Sequence, residues 1–368
     1  MNQIKIPYIN LTAQWEEEKK EILPLIKNVF SSGQFIGGQI IDDFENSAAK
    51  FCGTKYCVAL NSGTDALVCG LIALGVKRGD EVITPPNSFV ASTSAIVHIG
   101  AKPVFVDVLN DQNIDPIQIK KAITDKTSAI MPVHLTGRMA KMDKILEIGT
   151  KNNIPIIEDS AQSIGSQYNT QKSGSFGKIG CFSTHPLKNL NACGDGGFIT
   201  TNDKKISDKI KQMRNHGFID RNTAEHFGYV SRMDSLQASI LNYRIKKLNI
   251  VINKRRKNAQ LYFNLLKEVP ILLPFEEDNE YNSYHTFVIQ TSKRDQLAKY
   301  LLNEGVETAI HYPFPIHLQP AAKFLNYHSG SFPITEKQAN TILTIPIHQY
   351  LSEDNIIYIC KKISMFFK

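Results

Sequence analysis

The sequence predicts an α/β fold, in which a mostly parallel central sheet is flanked by helices and followed by a smaller C-terminal α+β domain. Three observations carry this expectation. Between about residues 55 and 200, short apolar runs alternate with helical stretches, the pattern of successive strand–helix–strand units. The first of these runs are rich in β-formers with little polar alternation, as in strands buried on both faces. A long stretch poor in Gly and Pro then leads into a compact strand–helix–strand pattern.

The chain opens with an arm and one helix, Leu11–Phe30. Strands are expected at Cys57–Leu60, Val82–Thr84, Val104–Asp107, Ala129–Val133, Ile154–Glu158, Cys181–Thr184 and Phe198–Thr201. Helices fall between them at Asp65–Leu74, Val90–Ile99, Asp115–Ile123 and Lys141–Asn152. The long helix covers Ser235–Lys267, with a break or kink expected after Leu248. Beyond it come a strand at His285–Gln290, a helix at Arg294–Glu304, a strand at Val306–Tyr312, and helices at Thr335–Thr341 and Ser352–Phe366. These elements divide the chain into an arm and helix (1–30), a large domain (31–248) and a small domain (249–368). A sheet of this kind binds ligands beyond the carboxyl ends of its strands.

Composition narrows the function classes. Hydrophobic residues are 42% and charged residues 21% of the 368, which excludes wholesale disorder. No run approaches about 20 apolar residues, so no membrane span is expected. The N-terminus lacks the apolar core of a signal peptide, which points to the cytoplasm. With 42 basic and 35 acidic residues the net charge is +7, suited to anionic small substrates. Its densest run, Lys254-Arg255-Arg256-Lys257, falls in the long helix and reads as a solvated face, so nucleic acid is not expected as a partner. The six cysteines show no CxxC and no metal spacing and read as reduced thiols; no metal site is expected.

Three segments carry chemistry. In Asn61-Ser62-Gly63-Thr64-Asp65, a strand enters a tight turn and a helix begins, which offers free amides to a phosphate; the same residues also suit a plain helix cap. Ile156-Ile157-Glu158-Asp159-Ser160-Ala161-Gln162 ends a strand in an acidic residue at the sheet's carboxyl edge. Asp159 there can hold a protonated ring nitrogen with Gln162 reaching the same ring, or can cap the next helix. In Ser183-Thr184-His185-Pro186-Leu187-Lys188-Asn189, ahead of Gly194-Asp195-Gly196-Gly197, Lys188 sits among apolar and small residues. A desolvated lysine is a nucleophile for a carbonyl; an ordinary surface lysine is the alternative. Together the three are the attachment points of pyridoxal 5′-phosphate. Phe89, after another strand end, can stack on its ring or belong to the core.

These segments, with Pro132-Val133-His134-Leu135, Arg214-Asn215-His216-Gly217, Ser231-Arg232-Met233-Asp234-Ser235-Leu236-Gln237-Ala238 and Pro315-Ile316-His317-Leu318-Gln319-Pro320, resemble the DegT/DnrJ/EryC1/StrS sugar aminotransferase family. The resemblance runs from about Ile6 to Phe366 and implies the aspartate aminotransferase (type I) fold, with the cofactor in the large domain. It implies that Gly63, Thr64 and Ser183 hold the phosphate, helped by the Asp65 amide, that Asp159 pairs with the ring nitrogen, and that Gln162 approaches the ring hydroxyl. Phe89 takes the stacking position and Lys188 is the Schiff-base lysine and proton shuttle. His185, Arg232, His311 and His317, with the 218–227 stretch, are candidates for substrate contacts.

The activity so implied is amino transfer from L-glutamate to a nucleotide-linked keto-deoxysugar, by a homodimer with shared active sites. The His311–Gln319 segment, with Lys188-Asn189-Leu190 and Gly194-Asp195-Gly196-Gly197, looks more like relatives acting at C-3 of dTDP-3-keto-6-deoxyhexoses than at C-4 of UDP-, GDP- or dTDP-sugars. Such products serve glycan (lipopolysaccharide O-antigen) or antibiotic sugar biosynthesis. Relatives with His at the lysine position are dehydratases, and Lys188 favours amination; intact Asp159, Gln162 and Lys188 argue against a non-catalytic homologue. Two positions depart from the family pattern. Val230 stands where an Asn reaches the phosphate from the partner subunit, and Thr184 stands where a bulky residue is common.

Overall fold

A computed structural model of the chain describes residues 5–368. Helix α1 (Leu11–Ser32) starts where the Asn10 side chain accepts from the Ala13 amide at 2.9 Å and ends at Gly33. It is followed by α2 (Gln39–Cys52), β1 (Tyr56–Leu60), α3 (Gly63–Ala73), β2 (Glu81–Thr84), α4 (Val90–His98), β3 (Lys102–Phe105) and α5 (Pro116–Ala122). Next come β4 (Thr127–Ile130), α6 (Met142–Asn152), β5 (Ile157–Asp159), β6 (Ile179–Ser183), β7 (Gly197–Thr201) and α7 (Lys204–Met213). The 32-residue α8 (Ser235–Leu266) leads to β8 (Phe287–Gln290), α9 (Arg294–Asn303), α10 (Pro333–Thr341), β9 (Ile342–Ile345) and α11 (Glu353–Phe367).

Up to Thr201, strand pairing includes the groups β1-β7-β6-β5 and β3-β2-β4. Parallel bridges Ile130↔Ile156 and Val133↔Asp159 join them into one sheet ordered β1-β7-β6-β5-β4-β2-β3. Only β7 opposes its neighbours in this sheet. The reason lies in the connection: no helix separates β6 from β7, so the chain turns back directly and pairs antiparallel. The turn, residues 184–196, therefore hangs at the carboxyl end of β6, and it holds Lys188.

Apolar residues of the sheet pack against α3, α4 and α7 on one side, where Leu67, Leu71, Ile96 and Ile210 are buried. On the other, Phe44 and Ala48 of α2 and Leu241 and Leu248 of α8 cover Phe182 and Phe198. A separate core joins the far end of α8 (Tyr262, Leu266) to β8, α9, β9 and α11, and Ile6 of the arm belongs to it. The arm is held there by the Lys5 and Ile6 amides, both donating to the Gly305 carbonyl at 2.9 and 3.0 Å. No helix among the described residues is long and apolar enough to cross a membrane.

Several elements differ from expectation. α8 runs without a break past Leu248, since no Gly or Pro interrupts it. Val306–Tyr312 forms no strand and makes isolated bridges only, Val306 with Ile6 and Ala309 with Thr344; the place beside β8 is taken by β9, which the sequence reading missed. α2 and α7 were missed as well. The basic run on α8 is a solvated face only at Lys254 and Lys257. Arg255 is 5% exposed and donates to the Tyr284 and His285 carbonyls at 3.2 Å, and Arg256 pairs with Glu276 at 2.7 Å. These arginines tie α8 to the 276–285 segment ahead of β8.

One buried ion pair ties α1 to both α8 and the Lys188 turn. Arg244 donates from Nε and Nη2 to Glu18 Oε2 at 2.9 and 2.7 Å, and from Nη1 to the Asn191 carbonyl at 2.7 Å. Removing one partner strands a buried charge, which costs about 3–5 kcal/mol. Glu18→Ala is therefore expected to lower the denaturation midpoint in urea substantially, whereas removing the exposed Lys257–Glu353 pair should leave it almost unmoved.

Candidate active site

The site forms where α3, β5 and β6 converge at the sheet's carboxyl edge. Extended backbone at Ser62 lets its side chain cap α3, accepting from the Asp65 amide at 3.0 Å. The Asp65 amide is thus engaged by Ser62, which leaves the amides of Gly63 and Thr64 as the donors open to an anion. Gly63 is needed for close approach: a Cβ there would lie 2.7 Å from the Ser183 Cβ. Gly197, opposite Ser183 in β7, has the same role, since its Cβ would meet the Ser62 backbone at 2.3 Å. Ser183 Oγ accepts from the His185 amide at 3.3 Å, and its own proton remains free to donate.

Successive residues of a strand face opposite sides, and β5 uses this to separate two carboxylates. Glu158 is fully buried and accepts from the amides of Gly174, Phe176 and Gly177 at 2.9, 2.8 and 2.7 Å. It also meets His134 Nε2 at 3.0 Å; His134 Nδ1 accepts from the Ala140 amide, so Nε2 carries the proton and donates. Glu158 is consumed by structure. Asp159, 4% exposed, accepts from the Ser92 hydroxyl at 2.7 Å and the Ala161 amide at 3.2 Å. Burial raises its carboxyl above the usual range, opposed by Ser92, Ala161 and the Lys188 charge.

Lys188 is half-buried in the β6–β7 turn, with its amide bonded to the His185 carbonyl at 2.8 Å. Burial pulls its ammonium down to about 8, with Asp159 acting in the opposite direction. A far larger share of this amine than of an ordinary lysine is therefore neutral near physiological pH, and a nucleophile or base acts through that share. Gln162 accepts from the Thr136 amide at 2.8 Å and donates to the Tyr312 hydroxyl at 3.3 Å. The Tyr312 ring stands 5.7 Å from that of Phe89, which caps α4 and is 54% exposed. His311, bonded to Thr344 at 3.0 Å, is held down to about 4 by burial and the Lys188 charge, so it stays neutral.

The structure thus brings Gly63, Thr64 and Ser183 together at one end, and Asp159, Lys188, Gln162, Phe89 and His311 near Tyr312. Arg232 is half-buried, donates to Asn215 at 3.1 Å, and lines a groove with Asn61, Ser62, Asp195 and Val230. Val230 is 53% exposed there. His185 is exposed, and its Nδ1 accepts from the Leu187 amide at 3.3 Å. His317 is not brought to the cluster: it is 2% exposed, bonded to Glu336 at 3.0 Å and set edge-on against Phe332. Sequence reasoning missed Ser92 and Tyr312. Ser92 carried no signal in its apolar helix, and Tyr312 stood in a segment read as strand.

The lowered Lys188 ammonium gives a direct test. In protein stripped of bound carbonyl compounds, acylation of Lys188 should rise with pH through a midpoint near 8, against about 10.4 for an ordinary lysine. Peptide mapping reads the two classes side by side, and a Lys188 midpoint above 10 would remove the desolvation argument.

The chain matches the DegT/DnrJ/EryC1/StrS aminotransferase family over residues 16–364. It is 38% identical over 99% of both chains to a pleiotropic regulatory protein of Geobacillus stearothermophilus. It is also 38% identical, over 96% of this chain and 98% of the other, to a UDP-2-acetamido-2-deoxy-3-oxo-D-glucuronate aminotransferase of Pseudomonas aeruginosa. A dTDP-3-amino-3,6-dideoxy-alpha-D-galactopyranose transaminase of Aneurinibacillus thermoaerophilus is 37% identical over 98% and 99% of the two chains. Among solved structures, S. venezuelae DesV in complex with a ketimine intermediate superposes with a TM-score of 0.97 at 34% identity, covering 99% of this chain and 98% of that one. With its buried aspartate, desolvated lysine and glycine-opened helix end, the chain belongs to the DegT/DnrJ/EryC1/StrS aminotransferase family.

Proposed function

We propose that this enzyme is a pyridoxal-phosphate-dependent aminotransferase that moves the amino group of L-glutamate to C-3 of a nucleotide-linked keto-deoxysugar. A dTDP-3-keto-6-deoxyhexose is the preferred acceptor. The observation that carries the reading is the pairing of a buried Asp159 with a Lys188 amine pulled down to about 8 by burial, at the same sheet edge as the α3 N-terminus. These residues fit the cofactor: two open amides and a hydroxyl for a phosphate, a carboxylate for a pyridine nitrogen, an exposed ring for stacking and an amine for the aldehyde.

In this reading the Gly63 and Thr64 amides and the Ser183 hydroxyl bind the phosphate at the positive end of α3. Asp159 holds the proton on the ring nitrogen, Gln162 orients the ring hydroxyl and Phe89 covers one face. The cofactor supplies an electron sink for the charge that develops when the carbon bearing the amine loses its proton. Lys188 Nζ, half of it free amine at about pH 8, would carry protons between the reacting carbon of the donor or sugar and the cofactor carbon C4′ in each half of the reaction. His311 and Arg232 face the sugar and its nucleotide diphosphate. The exposed apolar Ile36 and Val230 that line the Ser62 groove support a second copy of the chain seated there. C-3 chemistry is supported by the 3-oxo and 3-amino sugars in the names of the Pseudomonas and Aneurinibacillus relatives.

Incubation with glutamate and matched 3-keto and 4-keto dTDP-6-deoxyhexoses should yield amino sugar from the 3-keto compound, identified by mass and NMR. Lys188→Ala should lower turnover at least about a thousandfold while still admitting the cofactor. Product from the 4-keto sugar alone would overturn the position assigned, and an active Lys188→Ala enzyme would overturn the mechanism.

A further inference from the structure

We infer that Ser92 is a positioning residue for the reaction: its hydrogen bond to Asp159 sets how firmly that carboxylate keeps a proton on the pyridine nitrogen of the bound cofactor. The inference rests on the aminotransferase reading above. Ser92 lies in the first turn of α4, is 1% exposed, and donates to Asp159 Oδ2 at 2.7 Å. The Ala161 amide takes Oδ1 at a longer 3.2 Å, so the hydroxyl is the closer partner of a carboxylate that burial alone would favour as the neutral acid.

The placement is economical. Phe89 caps α4 and Ser92 follows three residues later, with its amide bonded to the Phe89 carbonyl at 3.3 Å. One rigid turn therefore presents both the exposed ring and the hydroxyl that holds Asp159. A hydroxyl in so buried a place is costly without a partner, and Asp159 is that partner. The charged and titratable groups facing Asp159 are Lys188 from the β6–β7 turn, His134 from the segment after β4, Cys181 from β6 and Tyr312 from the small domain. None of them donates a hydrogen bond to the carboxylate among the described residues. Loss of the Ser92 hydroxyl leaves a more basic carboxylate, and the shared proton moves from ring nitrogen toward Asp159. The electron sink weakens in proportion.

The test compares wild type, Ser92→Ala, Ser92→Thr and Ser92→Cys, each loaded with cofactor carrying an isotope label at the ring nitrogen. NMR follows that nitrogen across pH, alongside kcat, KM and the thermal midpoint. In Ser92→Ala the nitrogen signal should move toward neutral pyridine across the neutral pH range, as the shared proton passes to Asp159, and kcat should drop at least about tenfold with little change in KM. Ser92→Thr, which keeps the hydroxyl, should restore the signal and the rate; Ser92→Cys, a weak donor of similar size, should fall between and carries the test if the alanine variant does not fold. A nitrogen signal and pH profile unchanged in the variants lacking the hydroxyl, even with a lowered thermal midpoint, would make Ser92 purely structural and overturn the inference. Wild-type protein that takes up no cofactor would overturn the aminotransferase reading instead, and with it this inference.

Discussion

A carboxylate and an amine share one desolvated pocket at the end of the central sheet, and the rest of the structure is arranged to hold them there. Charges taken out of water cost several kcal/mol each unless compensated by hydrogen bonds and partners. Asp159 meets that cost with Ser92, the Ala161 amide and the nearby Lys188. Lys188 meets it by losing its proton more readily, down to about 8. In bulk water both groups would return toward ordinary acid and amine behaviour, so burial at the sheet edge sets both shifts.

The surrounding architecture serves this constraint from two directions. The antiparallel return of β7 fixes the turn that carries Lys188, and Arg244 clamps that turn to α1 and α8 through Asn191 and Glu18. On the opposite face of β5, Glu158 gathers three amides and His134, anchoring the strand that presents Asp159. Two adjacent acids thus divide their labour by strand geometry alone, one bound into the framework and one turned to the pocket. The groove beside Ser62 is less complete. Val230 offers no side-chain hydrogen bond there, and the polar side chains lining it include Asn61, Ser62, Asp195 and Arg232.

Much of this was readable in the residues. The seven strands of the central sheet were each expected within a few positions, because doubly buried strands leave runs such as Cys57–Leu60 that polar punctuation bounds. Gly63, Asp159 and Lys188 were visible because each closes or follows such a run. What escaped depended on tertiary pairing. The Val306–Tyr312 segment has strand composition, but β9 already occupies the edge of β8. His317 and His311 look alike in sequence, yet Glu336 and Phe332 enclose one while the other faces Lys188. Ser92 is a small polar residue in an apolar helix, a pattern that says nothing of the carboxylate a strand brings to it.

The central claim is that Lys188 is the amine that carries the cofactor in this pocket, and borohydride tests it most directly. Reduction of the purified protein loaded with cofactor makes the bond between cofactor and amine permanent, and proteolysis with mass spectrometry locates it. A pyridoxyl mass on the peptide containing Lys188, with loss of the visible absorbance, is the predicted result. A label on any other lysine, or none in protein that binds the cofactor, would contradict it.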